Sequence, residues 1–118
     1  MSQHRPAAGD RIVVLKPRWL RLVLGRQKTL EIRGSPLAAG PAWLGARGTL
    51  YGRCVLGEPF EVGTADDWAA LRSRHLVPGA PPYVHPWASP LHDVRQLRPL
   101  QPYRHPRGAI GIVRYTRG

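Results

Sequence analysis

The sequence predicts one small α+β domain, a mixed or antiparallel β-barrel flanked by two or more short helices. Short β-rich runs outnumber helical patterns along the 118 residues, and the two do not alternate as in a parallel βαβ sheet. The length suits a single hydrophobic core. We expect the domain to span residues 11–118, after a flexible N-terminal arm of residues 1–10 that contains Pro6 and Gly9.

Strands in the first half of the chain are predicted by short runs of β-branched or alternating apolar residues. These runs cover residues 11–15, 29–33 and 48–56, and residues 60–62 continue the sheet after a kink. In the second run Leu30 and Ile32 face the core. Its opposite face carries Thr29, Glu31 and Arg33.

A helix is predicted between the first two strands. Pro17 suits its first position because the fixed φ of proline is already helical. Its apolar stripe consists of Trp19, Leu20, Val23 and Leu24. Arg18 and Arg21 lie off this stripe, and we expect Gly25 to close the helix in the left-handed conformation.

The third strand carries a core face and follows a long loop. Its core face consists of Leu50, Cys54 and Leu56. We expect Cys54 to be a small core residue, because no base near it in the sequence marks it as a nucleophile. Residues 35–48 are rich in Pro, Gly and Ala and are predicted to form a loop that Trp43 and Leu44 anchor.

The second half of the chain begins with another helix. Thr64 suits its capping position, with Asp67 three residues on. Asp66 and Asp67 are better explained by stabilisation of the helix N-terminus than as a catalytic pair. Residues 77–90 hold five prolines and predict no regular structure. Two further strands are expected at residues 92–100 and 109–115, on either side of a rigid loop at residues 102–108.

Basic residues dominate the charge of the chain. Lys and Arg number 18 against 7 Asp and Glu, which gives a formal net charge of +11. All but Lys16 and Lys28 are arginines, whose planar guanidinium can both bind phosphate and stack on bases. The excess therefore favours a nucleic-acid partner. A codon bias towards Arg, Gly, Pro and Ala would give the same composition, and we consider it the weaker explanation.

Missing motifs exclude several classes of protein. No apolar run reaches the roughly 20 residues of a membrane-spanning helix, and the N-terminus lacks the apolar core of a secretory signal. We therefore expect no membrane association and a cytoplasmic location, or a nuclear one in a eukaryote. A single cysteine excludes an internal disulfide. The sequence has neither a glycine-rich phosphate loop nor a GxSxG elbow. Its five histidines show no ligand spacing, so we expect no metal and no cofactor.

Charged residues at the start of the second strand form the candidate site. Glu31 and Arg33 lie roughly 6 to 7 Å apart along one strand face, and Lys28 stands where the preceding turn becomes the strand. One interpretation is that these charges simply pair with each other. The other is that Glu31 accepts hydrogen bonds from a nucleobase edge while Lys28 and Arg33 hold phosphate or sugar.

Two segments resemble the ASCH domain family, within the PUA-like superfamily. Residues Lys16–Leu20 and Lys28–Gly34 are similar to its opening, whose motif is G-x-K-x-x-E-x-R. The matching motif residues are Lys28, Glu31 and Arg33. Arg26 stands at the motif glycine, which has moved to Gly25. Residues Pro102–Ile110 are similar to the closing PY-x-HP-x-GA segment of bacterial members.

The resemblance implies a small β-barrel with helices and a cleft that the motif strand lines. It also implies RNA binding, because related PUA-like domains bind RNA and some of them hold an extruded modified base in a pocket. One ASCH branch resembles amidohydrolases that act on acetylated cytidine through a Lys, a Thr and a Glu. Lys28 matches that lysine, but Glu31 occupies the threonine position, which favours binding over catalysis.

Our first hypothesis is a non-enzymatic nucleic-acid-binding module that prefers RNA to DNA and takes a single strand or an extruded base. The predicted binding residues are Lys28, Glu31 and Arg33 in the cleft, Trp19, Tyr103 and His105 for stacking, and Arg18, Arg21 and Arg107 along the phosphates. One alternative is a small hydrolase of modified nucleosides or RNA, with Lys28 and Glu31 as catalytic residues. Another is an adaptor that binds a protein partner in transcription regulation.

Overall fold

A curled mixed sheet forms the body of the molecule, and short helices flank it. The structure is a computed structural model that describes residues 5–116. In this range the strands are β1 (Arg11–Val14), β2 (Leu30–Arg33), β3 (Gly40–Ala46), β4 (Thr49–Leu56), β5 (Phe60–Glu61), β6 (Trp87–Pro102) and β7 (Ile112–Arg114). The helices are α1 (Pro17–Leu24), α2 (Ala65–Ala70) and α3 (Arg72–His75). The predicted small α+β barrel-like class with short flanking helices is confirmed.

The long strand β6 organises the sheet. The strands follow the order β2, β6, β4, β3, β1, β7, and β5 also pairs with β6. β1 and β3 run parallel, whereas all other described pairs run antiparallel. Two register shifts interrupt the β4–β6 ladder, and shifts of this kind bend a strand and let a sheet curl. In this strand order β2 lies at one end of the sheet. There the Thr29 N–H donates to the Arg74 carbonyl at the end of α3.

Apolar side chains fill the interior as the strand patterns predict. The inner face of β4 is buried at Leu50, Cys54 and Leu56. Cys54 is 1% exposed, and burial raises the pKa of its thiol to about 12. The prediction that Cys54 is a core residue is therefore confirmed. Thr64 also caps α2 as predicted, since its Oγ1 accepts a hydrogen bond from the Asp67 N–H at 3.0 Å.

Residues 35–48 are not the loop that their composition predicts, because β3 occupies Gly40–Ala46. Pro, Gly and Ala have low strand propensity, but contacts with β1 and β4 on both sides override it here. At Gly45 a Cβ atom would lie 3.1 Å from both the Ile12 and Tyr103 side chains, so a larger residue there would require these neighbours to shift. The predicted anchors Trp43 and Leu44 are both buried.

Two other strand boundaries also differ from the prediction. β6 begins at Trp87, inside the proline-rich stretch that predicts no regular structure. Trp87 and Ala88 pair with β2 on one side and β5 on the other, so long-range pairing extends the strand. β7 covers only Ile112–Arg114 of the expected closing strand, and Gly111 precedes it with a φ of +83°.

The turn after α1 places the left-handed residue one position later than predicted. Gly25 has a φ of −80° and ends the helix with ordinary geometry, whereas Arg26 has a φ of +63°. A left-handed conformation costs a residue with a Cβ about 1–2 kcal/mol. The Arg26 Nη2 donates to the Val94 carbonyl at 2.9 Å, which ties the strained residue to β6.

Residues 9–10 and Tyr115 are hydrogen-bonded to each other beside β1 and β7. Residues 1–4 of the predicted arm lie outside the described residues. Gly9 donates its N–H to the Tyr115 carbonyl at 3.0 Å, and Tyr115 donates to the Asp10 carbonyl at 2.7 Å. The end of the predicted arm thus carries backbone hydrogen bonds to the end of the domain. Within residues 5–116 no helix has the length and apolar character needed to cross a membrane.

Candidate functional site

A cleft of about 830 Å³ opens beside β2. Its walls come from the N-terminal turn of α1, from residues 77–83 and from residues 105–111. The predicted site residues that line it are Lys28, Glu31, Arg33, Arg18, Trp19 and His105. The structure therefore brings the charged motif residues into one cavity with two of the three predicted stacking residues.

Lys28 is the most buried cation of the cleft. It is 2% exposed, and its Nζ donates to the His75 carbonyl at 2.5 Å. The turn that holds it is closed by the N–H groups of Gln27 and Lys28, which both donate to the Leu22 carbonyl at 3.0 Å. The Lys28 Nζ also lies 4.7 Å from the centre of the Trp19 ring.

Burial is the main cause that lowers the pKa of Lys28 below 10.5. The carboxylate of Glu31 opposes this shift, and the guanidinium of Arg33 adds to it. An ammonium held in this way is poorly hydrated, so an anionic ligand or a ligand carbonyl gains more from it than from a surface lysine.

Glu31 and Arg33 form an ion pair inside the cleft. The Arg33 Nε donates to the Glu31 Oε2 at 2.6 Å, and the side chains are 14% and 8% exposed. Arg33 also donates from Nη2 to the Val14 carbonyl at 3.1 Å, which fixes its guanidinium between β2 and β1. The pairing expected from their spacing is present, and both residues also line the cleft. The two interpretations of these charges are therefore compatible.

His75 supports Lys28 from behind the cleft. Its Nδ1 accepts from the Val77 N–H at 2.9 Å, so Nε2 must carry the proton that it donates to the Trp68 carbonyl at 3.0 Å. Its ring also stacks on Trp68, with the ring centres 3.9 Å apart. Burial is the main cause that lowers the pKa of His75, and the positive charges of Lys28 and Arg72 lower this pKa further. The hydrogen bond to the Trp68 carbonyl raises it and so opposes the shift. His75 is thus a neutral imidazole that holds in place the carbonyl on which Lys28 rests.

Sequence reasoning missed this role of His75, which was seen only as a histidine without ligand spacing. The signal in the sequence is weak. Trp68 and His75 are seven residues apart, which places them on the same side of a helical segment. Nothing in that spacing points to Lys28, whose contact with His75 spans 47 residues of sequence.

Tyr103 does not line the cleft, contrary to the stacking role predicted for it. Its ring is 4% exposed and packs in a core cluster with Ile12, Trp43 and Leu50. Burial raises the pKa of its hydroxyl, which donates to the His105 Nδ1 at 2.9 Å. The Nε2 of His105 in turn donates to the Ala109 carbonyl at 2.9 Å. Tyr103 therefore orients His105, and His105 faces the cleft.

The remaining predicted residues divide between the cleft and the outer surface. Arg18 lines the cleft, and its guanidinium carbon lies 4.3 Å from the centre of the Trp19 ring. Arg21 and Arg107 are exposed but do not line the cleft. Trp19 already has two cations close to its ring, and a base that stacks on it competes with them.

Tyr83 and Arg47 are cleft residues that were not among the predicted site residues. Tyr83 is 41% exposed and lines the cleft beside Gly34, where a Cβ atom would approach the Tyr83 ring to 2.9 Å. Arg47, on the β3–β4 turn, adds another cation. The prolines around Tyr83 were the available signal, because a rigid stretch can hold an aromatic ring at the mouth of a site. Within residues 5–116 no group of three or more His, Cys, Asp or Glu residues is placed to hold a metal ion.

Comparisons with known proteins agree with the fold. No protein-family model matches the chain, and no curated protein matches its sequence. Among solved structures, the chain is similar to the ASCH protein from Zymomonas mobilis, with a TM-score of 0.68 and 16% identity over 92% of this chain and 88% of that one. A serine-to-alanine mutant of the same protein matches with a TM-score of 0.67 and 17% identity over 96% and 92% of the two chains. The chain therefore has the fold of an ASCH domain, as the resemblance of its motifs implies.

Proposed function

We propose that this protein is a nucleic-acid-binding module that takes one nucleotide, or a base extruded from its strand, in the cleft beside β2. A volume of about 830 Å³ lies within the range of roughly 300–1,000 Å³ common for small-ligand sites. The net charge of +11 supplies the long-range attraction to a polyanion. The preference for RNA over DNA rests on the resemblance to PUA-like domains.

The burial of Lys28 in an open, charged cleft is the observation that carries the proposal. A buried ammonium contributes little to the stability of a small domain, because the loss of hydration offsets its attractions. The same desolvation makes it an effective donor to a phosphate or carbonyl oxygen. Since Glu31 and Arg33 line the same cavity, a ligand there meets both donors and acceptors.

Each side chain then has a distinct role in binding. Lys28 and Arg18 donate to phosphate or sugar oxygens, while Arg33 holds the carboxylate of Glu31 in a fixed orientation. Glu31 accepts hydrogen bonds from the amino or imino groups of a base edge. Tyr83 and His105, from two different segments that line the cleft, are the stacking residues.

Fluorescence anisotropy with labelled single-stranded RNA, single-stranded DNA and duplex RNA tests the proposal. We expect the single strands to bind more tightly than the duplex and the affinity to fall as salt rises. The double substitution Lys28→Ala with Arg33→Ala should weaken binding by at least about tenfold, as the loss of charged hydrogen bonds predicts. A double substitution of two exposed arginines outside the cleft, Arg98→Ala with Arg114→Ala, is the control for charge. Equal losses in the two variants would contradict the cleft model.

A hydrolase is the second candidate, favoured by the lowered pKa of Lys28. A desolvated lysine can act as a base at neutral pH, and Glu31 lines the same cleft and could orient the attacking water. Incubation with acetylated cytidine and with labelled RNA, followed by mass spectrometry, decides this point. A product formed by the wild-type protein and not by the Glu31→Ala variant would establish catalysis. Equal signals from the two would exclude it for these substrates.

A further inference from the structure

A second groove adjoins the cleft on the far side of Trp19. It lies between α1 and the α2–α3 pair and has a volume of about 660 Å³. Three residues line both cavities: Arg18, Trp19 and Pro78. The two cavities are therefore adjacent at α1, and a strand whose nucleotide fills the cleft can pass Trp19 to reach the groove.

The groove has basic edges and an apolar floor. Arg18 and Arg72 are its charged lining residues, and both are exposed. Arg72 also donates from Nη2 to the Gly79 carbonyl at 3.1 Å, which fixes its direction. Leu22 and Leu76 supply apolar surface between the two arginines.

Among residues 5–116, no carboxylate lines this groove. The acidic residues of α2, Asp66 and Asp67, lie in its first turn, whereas the residues that α2 contributes to the groove are Ala69 and Ala70 at its other end. The charge of the groove is thus positive, and it complements an anionic occupant.

We infer that this groove holds the nucleotide adjacent to the one in the cleft, on the same strand. This inference rests on the proposed function and extends it from one nucleotide to two. A phosphate between Arg18 and Arg72 links the two nucleotides, and the second base packs on Leu22 and Leu76. Single-strand-binding proteins combine cations along the backbone with surfaces for bases in the same way. Trp19, between the two cavities, separates the two bases.

Binding of 5′-phosphorylated ribo-oligonucleotides of one to four residues, as homopolymers of each of the four bases, tests the inference by calorimetry or competition. The wild-type protein should gain at least about tenfold in affinity between the mononucleotide and the dinucleotide, as charge-assisted hydrogen bonds from Arg18 and Arg72 to the linking phosphate predict. Arg72→Ala should reduce this gain and lower the salt dependence of dinucleotide binding by about 0.7 in the log–log slope. Its affinity for the mononucleotide should not change.

Ser73→Trp is a second variant, because it fills the groove without removing a charge. It should also reduce the gain, whereas Arg98→Ala, a loss of one exposed charge on β6, should retain it. Full gain in both Arg72→Ala and Ser73→Trp would overturn the inference. Wild-type protein that binds all lengths equally would overturn it and leave the proposed function standing. A failure to bind any of these oligonucleotides would contradict both.

Discussion

β2 and β4 are both alternating strands of one sheet, but they use their faces differently. β4 buries one apolar face, and its other face is half-exposed. β2 buries Leu30 and Ile32 on one face and also buries Glu31, at 6% exposed, on the other. The second face of β2 is therefore covered although it is charged.

This difference between the two strands distinguishes residues that stabilise the fold from residues that form the candidate site. The buried face of β4 packs spontaneously because apolar area leaves water. The charged face of β2 is tolerated only because Arg33 pairs with Glu31 and the His75 carbonyl accepts from Lys28. A domain of this size gains little stability from such an arrangement, which agrees with the binding role proposed for this face.

Truncation of the apolar face should have the largest effect on stability. Leu56→Ala should lower the free energy of unfolding by about 2–5 kcal/mol, because Leu56 is 1% exposed and a cavity remains in the core. Urea denaturation measures the change. Leu100→Ala, at a leucine that is 51% exposed, is the control and should change stability by less than about 0.5 kcal/mol. A similar loss in both variants would mean that the core does not lie on β4.

Removal of one partner of the Glu31–Arg33 ion pair should have the second-largest effect on stability. Arg33→Met leaves the Glu31 carboxylate buried without its partner and should cost about 3 kcal/mol, at the low end of the range for buried pairs because Arg33 keeps some exposure. Glu31→Gln with Arg33→Met removes both charges and should recover at least half of that loss. No recovery in the double variant would show that Arg33 stabilises the fold through packing rather than through Glu31.

Acidic pH should lower the free energy of unfolding through His75, whose carbonyl accepts a hydrogen bond from Lys28. Unfolded His75 takes up a proton as the pH falls through about 6.5, whereas folded His75 takes up its proton only at a lower pH, because burial lowers its pKa. The unfolded state then binds more protons, so stability is highest above pH 6.5 and falls by up to about 1.4 kcal/mol per pH unit below it. Urea denaturation from pH 8 to pH 5 measures this slope. The His75→Gln variant should show a shallower slope, and an identical slope would exclude His75 as its source.

A substitution in the turn before β2 should have the smallest effect on stability. Arg26→Gly relieves a left-handed residue but loses the hydrogen bond to the Val94 carbonyl, so we expect a net gain of about 0.5 kcal/mol in the free energy of unfolding. Thermal unfolding detects it as a small rise in Tm. Arg26→Ala keeps the strain and loses the hydrogen bond, and it should be destabilising. A destabilised glycine variant would mean that the hydrogen bond outweighs the strain.

The sequence predicts those elements of the fold that depend on residues close together in the chain. The alternation of β4, the start of α1 at Pro17 and the cap at Thr64 were all read from the sequence, because each depends on neighbouring residues. β3 was missed because its Gly and Ala residues become a strand only between β1 and β4. Long-range contacts, and not propensity, form that strand.

Long-range contacts also limit what the sequence predicts about the candidate site. The register of Lys28, Glu31 and Arg33 was visible in the motif, and the structure brings the three into one cleft. The roles of Tyr103 and His75 were not visible, because they depend on contacts between distant segments. An aromatic residue beside a basic loop does not reveal whether its ring faces the core or a ligand.

We propose that Lys28 contributes to ligand binding rather than to stability, and one substitution separates the two effects. Lys28→Met keeps the length of the side chain and removes its charge. We expect the free energy of unfolding to change by less than about 1 kcal/mol, because relief from desolvation offsets the hydrogen bond lost to the His75 carbonyl.

The deciding measurement is the affinity of Lys28→Met for single-stranded RNA, taken with its unfolding curve and compared with Arg98→Met as the control for charge. We expect Lys28→Met to lose at least about tenfold in affinity beyond the loss in the control, with stability retained. Wild-type affinity in a folded Lys28→Met variant would show that Lys28 does not contribute to binding.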